Sequence, residues 1–247
     1  VRPYRRYLIL VRLWKPDWAR FAAIWRLGAP IGVTMAAESG LFAVAAVMMG
    51  WLGEAELAAH AVALQFASIA FMTPLGLSHA TTVRVGLAHG RGDRGAAARA
   101  GWVSIALSLV FMGAVAALFV AAPRTLTTLL LDPADPANAR PLMLASQYLM
   151  VAALFQLVDG AQVTGVASLR GLRDTRVPML IALVGYWVVG IPFGWVMAFP
   201  LGFEGVGLWL GLAAGLAFAA VFLCARFARL TAPGPALPMP EAPQHIP

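Results

Sequence analysis

Long apolar stretches alternate with short polar ones along this 247-residue chain, and the alternation predicts six helices that cross a membrane. Runs of about 18 or more apolar residues are long enough to span a bilayer as helices. Membrane strands would instead alternate residue types over short segments, and these runs do not. The first span is expected at about 27–51, with Pro30 tolerated in its first turn. The second is expected at 57–77, kinked at Pro74, and the third at 102–121. A connector carrying Pro123, Pro133, Pro136 and Pro141 separates these from a fourth span at 142–169. The fifth, 177–199, is interrupted by Gly190 and Pro192, and the sixth covers 206–227. The expected fold is an all-α integral membrane bundle of six transmembrane helices.

Both flanks differ from the spans. In residues 1–26, Tyr7, Leu10, Trp14, Trp18, Phe21 and Trp25 recur at three- and four-residue steps, with Arg5, Arg6, Arg12, Lys15 and Arg20 off that face. Such a segment lies on a membrane surface, broken near Pro16; a solvated linker is the plainer alternative. Residues 230–247, rich in Pro and Ala, are expected to be a disordered tail. The chain therefore divides into a linker (1–26), a six-helix lobe (27–229) and a tail. It opens on Val and a basic, aromatic stretch rather than a signal peptide, and it is expected to be part of a longer protein.

Composition agrees and removes one alternative. Hydrophobic residues make up 61% and charged ones 12%, about half the charge of a soluble domain. The net charge of +7 raises the question of nucleic acid, which the placement of the charges answers. Seven basic residues lie in the N-terminal stretch, including Arg2 and Arg26. Arg84, Arg91, Arg94 and Arg99 follow the second span, Arg170, Arg173 and Arg176 the fourth, and Arg226 and Arg229 close the sixth. The opposite side has only Arg124 and Arg140. By the positive-inside rule both termini are cytoplasmic, and the charge faces anionic lipid rather than nucleic acid. The single cysteine, Cys224, excludes an internal disulfide. Arginine far outnumbers lysine, and alanine is abundant, a hint of a GC-rich bacterial genome; a multi-pass place in a bacterial inner membrane is expected.

The candidate chemistry centres on Asp159, a lone carboxylate in an otherwise uncharged run. A charge at that depth costs about 2.5–3.5 kcal/mol on insertion scales and by default marks an ion or substrate path. Gln156, Asp159 and Gln162, spaced by three, share one slowly drifting helix face. The other deep carboxylate is Glu38, with Thr34 one turn before it and able to hydrogen-bond to it. Glu38 lies about 18 Å along a helix from Arg26, and Asp159 about 16 Å from Arg170, so both sit near the middle of the hydrocarbon core. Two carboxylates at one depth can share a cation or hold a proton. The alternative for Asp159 is a structural carboxylate paired with an arginine or capping a broken helix, and no Arg or Lys lies inside an expected span to pair with it, Arg226 standing only at the very end of the sixth. Glu54 and Glu56 are expected to be solvated in the outer loop. His60, His79 and His89 have no metal-ligand spacing. With Cys224 they supply no nucleophile or metal set at one depth, so an embedded enzyme is not expected and no cofactor is implied. Gly207, Gly211 and Gly215 form a small-xxx-small ladder for close helix packing. Tyr186, Trp187 and Trp195 are interface anchors or packing residues by default, with pocket walls as the alternative.

Several stretches, in order, resemble one family. Leu27-Gly-Ala-Pro-Ile31 with Glu38, Ala58-Ala-His60, the glycine-rich Arg84–Asp93, Ser168–Pro178, Tyr186-Trp187 and Gly190-Ile-Pro192 are similar to the NorM-like branch of the multidrug and toxic compound extrusion (MATE) transporters. The resemblance covers about residues 20–229. It implies half of a twelve-helix, two-lobe antiporter that expels lipophilic, often cationic compounds by alternating access in exchange for H⁺ or Na⁺. This chain would be the C-terminal lobe, with an N-terminal six-helix lobe as its missing partner. The family's cation-site carboxylates in this lobe fall on Glu38 and Asp159, with Gln156, Phe155, Gln162, Thr34 and Tyr186 as further lining candidates. Phe155 stands where some Na⁺-coupled members carry a tyrosine, which removes a hydroxyl ligand. A related lipid-linked oligosaccharide flippase would need a cationic cavity, against which span interiors without Arg or Lys argue. An inert transporter fragment is the remaining alternative.

Overall fold

The structure, a computed structural model, describes residues 17–232. Most of the expected surface segment and nearly all of the expected tail lie outside the described residues. Among the described residues, six helical segments are long and apolar enough to cross a membrane, and no strand occurs. They are α1 (Trp18–Leu52), α2 (Glu54–Gly90), α3 (Arg94–Ala121), α5 (Ala139–Gly171), the composite α6 (Arg176–Leu183) and α7 (Ile191–Ala198), and α8 (Glu204–Thr231). A short α4 (Pro123–Thr127) lies in the proline-rich connector.

The helices begin and end where their caps are, not where hydropathy falls off. Asp17 caps α1 by accepting from the Arg20 amide at 3.0 Å, so residues 18–26, expected in the surface segment, are the first turns of α1. A single residue, Gly53, separates α1 from α2; its φ of 153° and ψ of 168° are a conformation essentially restricted to glycine. α2 runs thirteen residues past its expected end at 77, because nothing breaks it before Gly92 (φ 72°). The Asp93 amide then donates to the Ala88 carbonyl at 3.0 Å, a Schellman closure, and the Asp93 side chain accepts from Ala96 at 2.8 Å to start α3. The stretch 84–93, which reads as a glycine-rich loop, is thus mostly helix. α5 closes in the same way, with the Asp174 amide on the Leu169 carbonyl at 3.0 Å. Here the left-handed position is occupied by Arg173, at φ 63°.

α5 is the axis of the bundle, packed against α2, α3 and α8. Its hydroxyls are satisfied locally, Thr164 on the Gly160 carbonyl at 2.7 Å and Ser168 on Thr164 at 2.8 Å. Cross-helix bonds tie in its neighbours: Ser108 of α3 donates to Gly160 at 3.0 Å and Thr82 of α2 to Ala167 at 3.1 Å. The fifth span breaks where Gly190 and Pro192 predict, as a π-helical turn over Val184–Gly190 joining α6 to α7. Against this turn and α7 lies the glycine ladder of α8. A Cβ on Gly207 would meet the Ala198 nitrogen at 2.6 Å, and one on Gly215 the Gly185 carbonyl at 2.7 Å. Close packing is what the ladder does.

One expectation is overturned at the end of the bundle where α2 and α5 begin. Glu56, expected to be solvated, is 2% exposed and ion-paired with Arg140 at the start of α5. The pair is lopsided, with 63% of the Arg140 side chain exposed against 3% for Glu56. Glu56→Gln leaves an arginine that water can solvate, and should change stability by less than about 1 kcal/mol. Arg140→Met strands a buried carboxylate, and should cost about 1–3 kcal/mol. Thermal unfolding of the two variants checks the asymmetry; equal losses would contradict it.

Candidate functional site

Asp159 is aimed by the packing of the residue after it. A Cβ on Gly160 would meet Ser108 Oγ at 2.7 Å and Met112 Cγ at 2.8 Å, so α5 and α3 lock together there and α5 cannot rotate. Asp159 itself, 4% exposed, lines a cavity of about 360 Å³ together with Glu38 of α1. The two carboxylates that stand out in the sequence therefore line one chamber. The rest of it is apolar or hydroxylic: Phe42 and Phe71, Phe155, and the exposed Ser39 and Ser68 along α1 and α2. Among the described residues neither carboxylate forms an ion pair or accepts a side-chain hydrogen bond. Phe155 closes the chamber on one side, edge-on between Phe42 (6.1 Å) and Trp209 (5.6 Å).

A second cavity of about 430 Å³ shares Glu38, Ser39, Phe42 and Phe71 with the first. Thr34, Gln162 and Arg170 line it, so Glu38 stands between the two chambers. Thr34 does not bind Glu38, because its only proton goes to the Pro30 carbonyl at 2.8 Å. Gln162 donates to the Tyr186 hydroxyl at 2.7 Å. Tyr186, fully buried on the π-helical turn, thus touches the site through Gln162 and lines neither chamber. Gln156 also lines neither. It is fully buried, and both its amide atoms lack a protein partner. The geometry of a helix explains this: steps of three drift by about 60° each, so Gln156 and Gln162 stand about 120° apart.

Arg170 is the residue that sequence reasoning missed. The sequence places it in the loop after the fourth span, but it lies in the last turn of α5, half-buried, in the same cavity as Glu38. The signal was available, since Gln162, Val166 and Arg170 repeat at i, i+4, i+8 on one helical stripe. The exclusion of positive charge from the spans therefore does not hold for the second chamber.

The donor set suits a small charge. Two carboxylates with the Ser39 and Ser68 hydroxyls are the oxygen ligands a hard cation takes, and either carboxylate alone can carry a proton. Among the described residues no group of three or more His, Cys, Asp or Glu side chains could hold a metal ion. His60 keeps both ring nitrogens buried without partners, beside Trp209 at 5.6 Å.

Comparison with known proteins meets this geometry from another direction. The chain is 51% identical over 226 residues to a probable multidrug resistance protein NorM of Brucella suis biovar 1 (strain 1330), covering 92% of this chain and 48% of that protein. A probable NorM of Mesorhizobium japonicum is 48% identical, over 92% of this chain and 49% of its own length. The chain thus spans about half the length of the curated relatives it matches. Solved structures agree on the fold. A MATE crystal structure in the bent conformation superposes with a TM-score of 0.78 at 18% identity, over 90% of this chain and 49% of that one. The eukaryotic MATE transporter AtDTX14 does so with a TM-score of 0.76 at 21% identity, over 87% and 49%. The family model described as MatE matches residues 30–196. A multi-pass, six-helix half with buried Asp159 and half-buried Glu38 on one chamber, the chain belongs to the MatE family.

Proposed function

We propose that this chain is the C-terminal lobe of a cation-coupled multidrug efflux antiporter of a bacterial inner membrane, with both termini cytoplasmic. Glu38 and Asp159 bind the coupling ion, H⁺ or Na⁺, and the lobe rocks against a complementary six-helix half to give alternating access. The exported compounds are lipophilic and cationic. One observation carries the reading. Two carboxylates, each near the middle of its own membrane-spanning helix, share one chamber, and among the described residues neither has a salt-bridge partner. A charge kept at that depth without a structural partner is retained for what it binds. Charge neutralisation at the pair by a cation, followed by its release, changes the energy of the lobe interior in each half-cycle. That difference is what a gradient can drive. Arg170 is the one arginine lining the second chamber, where Glu38 also stands. It does not make the cationic cavity that an oligosaccharide-lipid phosphate would need.

The test is dye efflux from proteoliposomes holding this chain with a complementary N-terminal half, under an imposed pH gradient or an imposed Na⁺ gradient. Efflux driven by one gradient, and absent without the second half, is the expected result. Phe155, which offers no oxygen where a hydroxyl would complete a Na⁺ shell, favours the pH gradient. Efflux that ignores both gradients would overturn cation coupling.

A further inference from the structure

Far from the carboxylates, the arginine-rich ends of several helices converge. A pocket of about 450 Å³ is lined by His89 of α2, Arg94 of α3, Arg173 in the α5–α6 turn, and Arg226 and Arg229 of α8. Its one acid, Asp174, is engaged with Arg226 at 2.5 Å. Among the described residues no carboxylate lies within salt-bridge distance of Arg94, Arg173 or Arg229. Two of the lining groups keep a buried nitrogen without a protein partner, Arg94 Nε and His89 Nδ1. Arg173 is brought to the pocket by the left-handed backbone position where the equivalent turn after α2 uses Gly92.

Like charges gathered in this way repel unless an anion sits between them. The pocket does not stop at the charges. At Arg226, Arg229 and Leu230 it joins a second groove of about 300 Å³ between α6 and α8. That groove is walled by Val177, Ile181, Val221, Phe222 and Ala225. Val221 and Phe222 are 65% and 50% exposed, on a span whose surface faces lipid or a partner. From Arg229 the groove runs about 12 Å up the helix to Val221, toward the hydrocarbon. A basic head continuous with an apolar tail matches one kind of molecule.

We propose that this continuous site binds one anionic phospholipid of the adjoining leaflet. Its phosphate sits among Arg94, Arg173 and Arg229, and one acyl chain lies in the groove between α6 and α8. Charge complementarity supplies the head-group preference, and the groove distinguishes a lipid from a free phosphate. The bound lipid bridges the α2–α3 turn, the α5–α6 turn and the end of α8, and so fastens three separate helix ends. Nothing in this assignment depends on transport or on the coupling ion.

The test uses the full chain purified in mild detergent, with native mass spectrometry counting bound lipid and circular dichroism following thermal unfolding. The probes are phosphatidylglycerol, phosphatidylcholine with the same acyl chains, and inorganic phosphate. One phosphatidylglycerol should stay bound per chain and raise the midpoint, while phosphatidylcholine and phosphate should do neither. Arg94→Gln combined with Arg229→Gln should weaken phosphatidylglycerol binding by at least about tenfold, the loss of two charge-assisted contacts, with unchanged helicity. Ala225→Trp keeps every charge and fills the groove, and it should also weaken lipid binding. Equal retention of phosphatidylcholine, full stabilisation by phosphate alone, or undiminished binding in either variant would each overturn the proposal.

Discussion

Asp159→Asn is expected to take gradient-driven efflux to the background of vesicles without protein, while the chain still folds and inserts. The substitution keeps the volume and removes the ability to hold either a proton or a cation. Its specificity comes from the surroundings of the residue. Among the described residues Asp159 has no ion-pair or hydrogen-bond partner among the side chains, so the variant strands no donor. Breaking a buried salt bridge would cost about 3–5 kcal/mol; here the change should stay within about 1 kcal/mol, since a buried charge is being removed rather than orphaned. A structural carboxylate predicts the reverse pattern, lost stability with efflux falling only in proportion. Efflux and thermal unfolding measured on the same preparation, with the complementary half present, separate the two. Normal efflux from Asp159→Asn would end the coupling role.

The pair was legible in the sequence because charge is rare there. In a chain with so few ionisable residues inside its apolar runs, depth alone picks out Glu38 and Asp159, and the chamber they share agrees. The breaks in the fifth span were legible for a similar reason, since Gly190 and Pro192 act on the backbone directly. Helix ends were not. Arginine-rich composition reads as loop, yet arginine is a good helix former, and α2 continues until Gly92 and Asp93 close it. Arg170 is hidden for the same reason, because its helical stripe with Gln162 and Val166 shows only once α5 is known to continue past residue 169. Gln156 shows the limit of counting by threes: it and Gln162 lie one step to either side of Asp159 and stand about 120° apart, and only Gln162 lines a chamber. The Glu56–Arg140 pair joins residues 84 apart in sequence, and no local pattern announces such a contact.

Gly211→Ala is expected to be among the most damaging single-atom-group changes in the lobe, against the direction that helix propensity predicts. In an exposed helix interior this substitution gains about 1 kcal/mol. At position 211 the new Cβ would fall close on the Gly194 Cα, at 2.6 Å from the Gly194 nitrogen and at 2.8 Å from the Gly190 carbonyl. All of these are backbone atoms, which cannot turn aside as a side chain can. α8 must therefore withdraw from the π-helical turn and α7, and overpacking of this kind costs about 1–3 kcal/mol. Gly28→Ala is the control, because a Cβ there meets nothing within 4 Å; it should be neutral or slightly stabilising in the isolated chain. Thermal unfolding and the yield of monodisperse protein from membranes give the readout, and a Gly211→Ala chain as stable as the parent would refute the close approach. The displacement has a second consequence at the site. The π-helical turn that α8 presses on carries Tyr186, whose hydroxyl accepts the proton of Gln162 at 2.7 Å. Pushing that turn away breaks the bond and frees a side chain of the second chamber. A glycine of α8 that lines neither chamber thereby sets the shape of one that Glu38 lines.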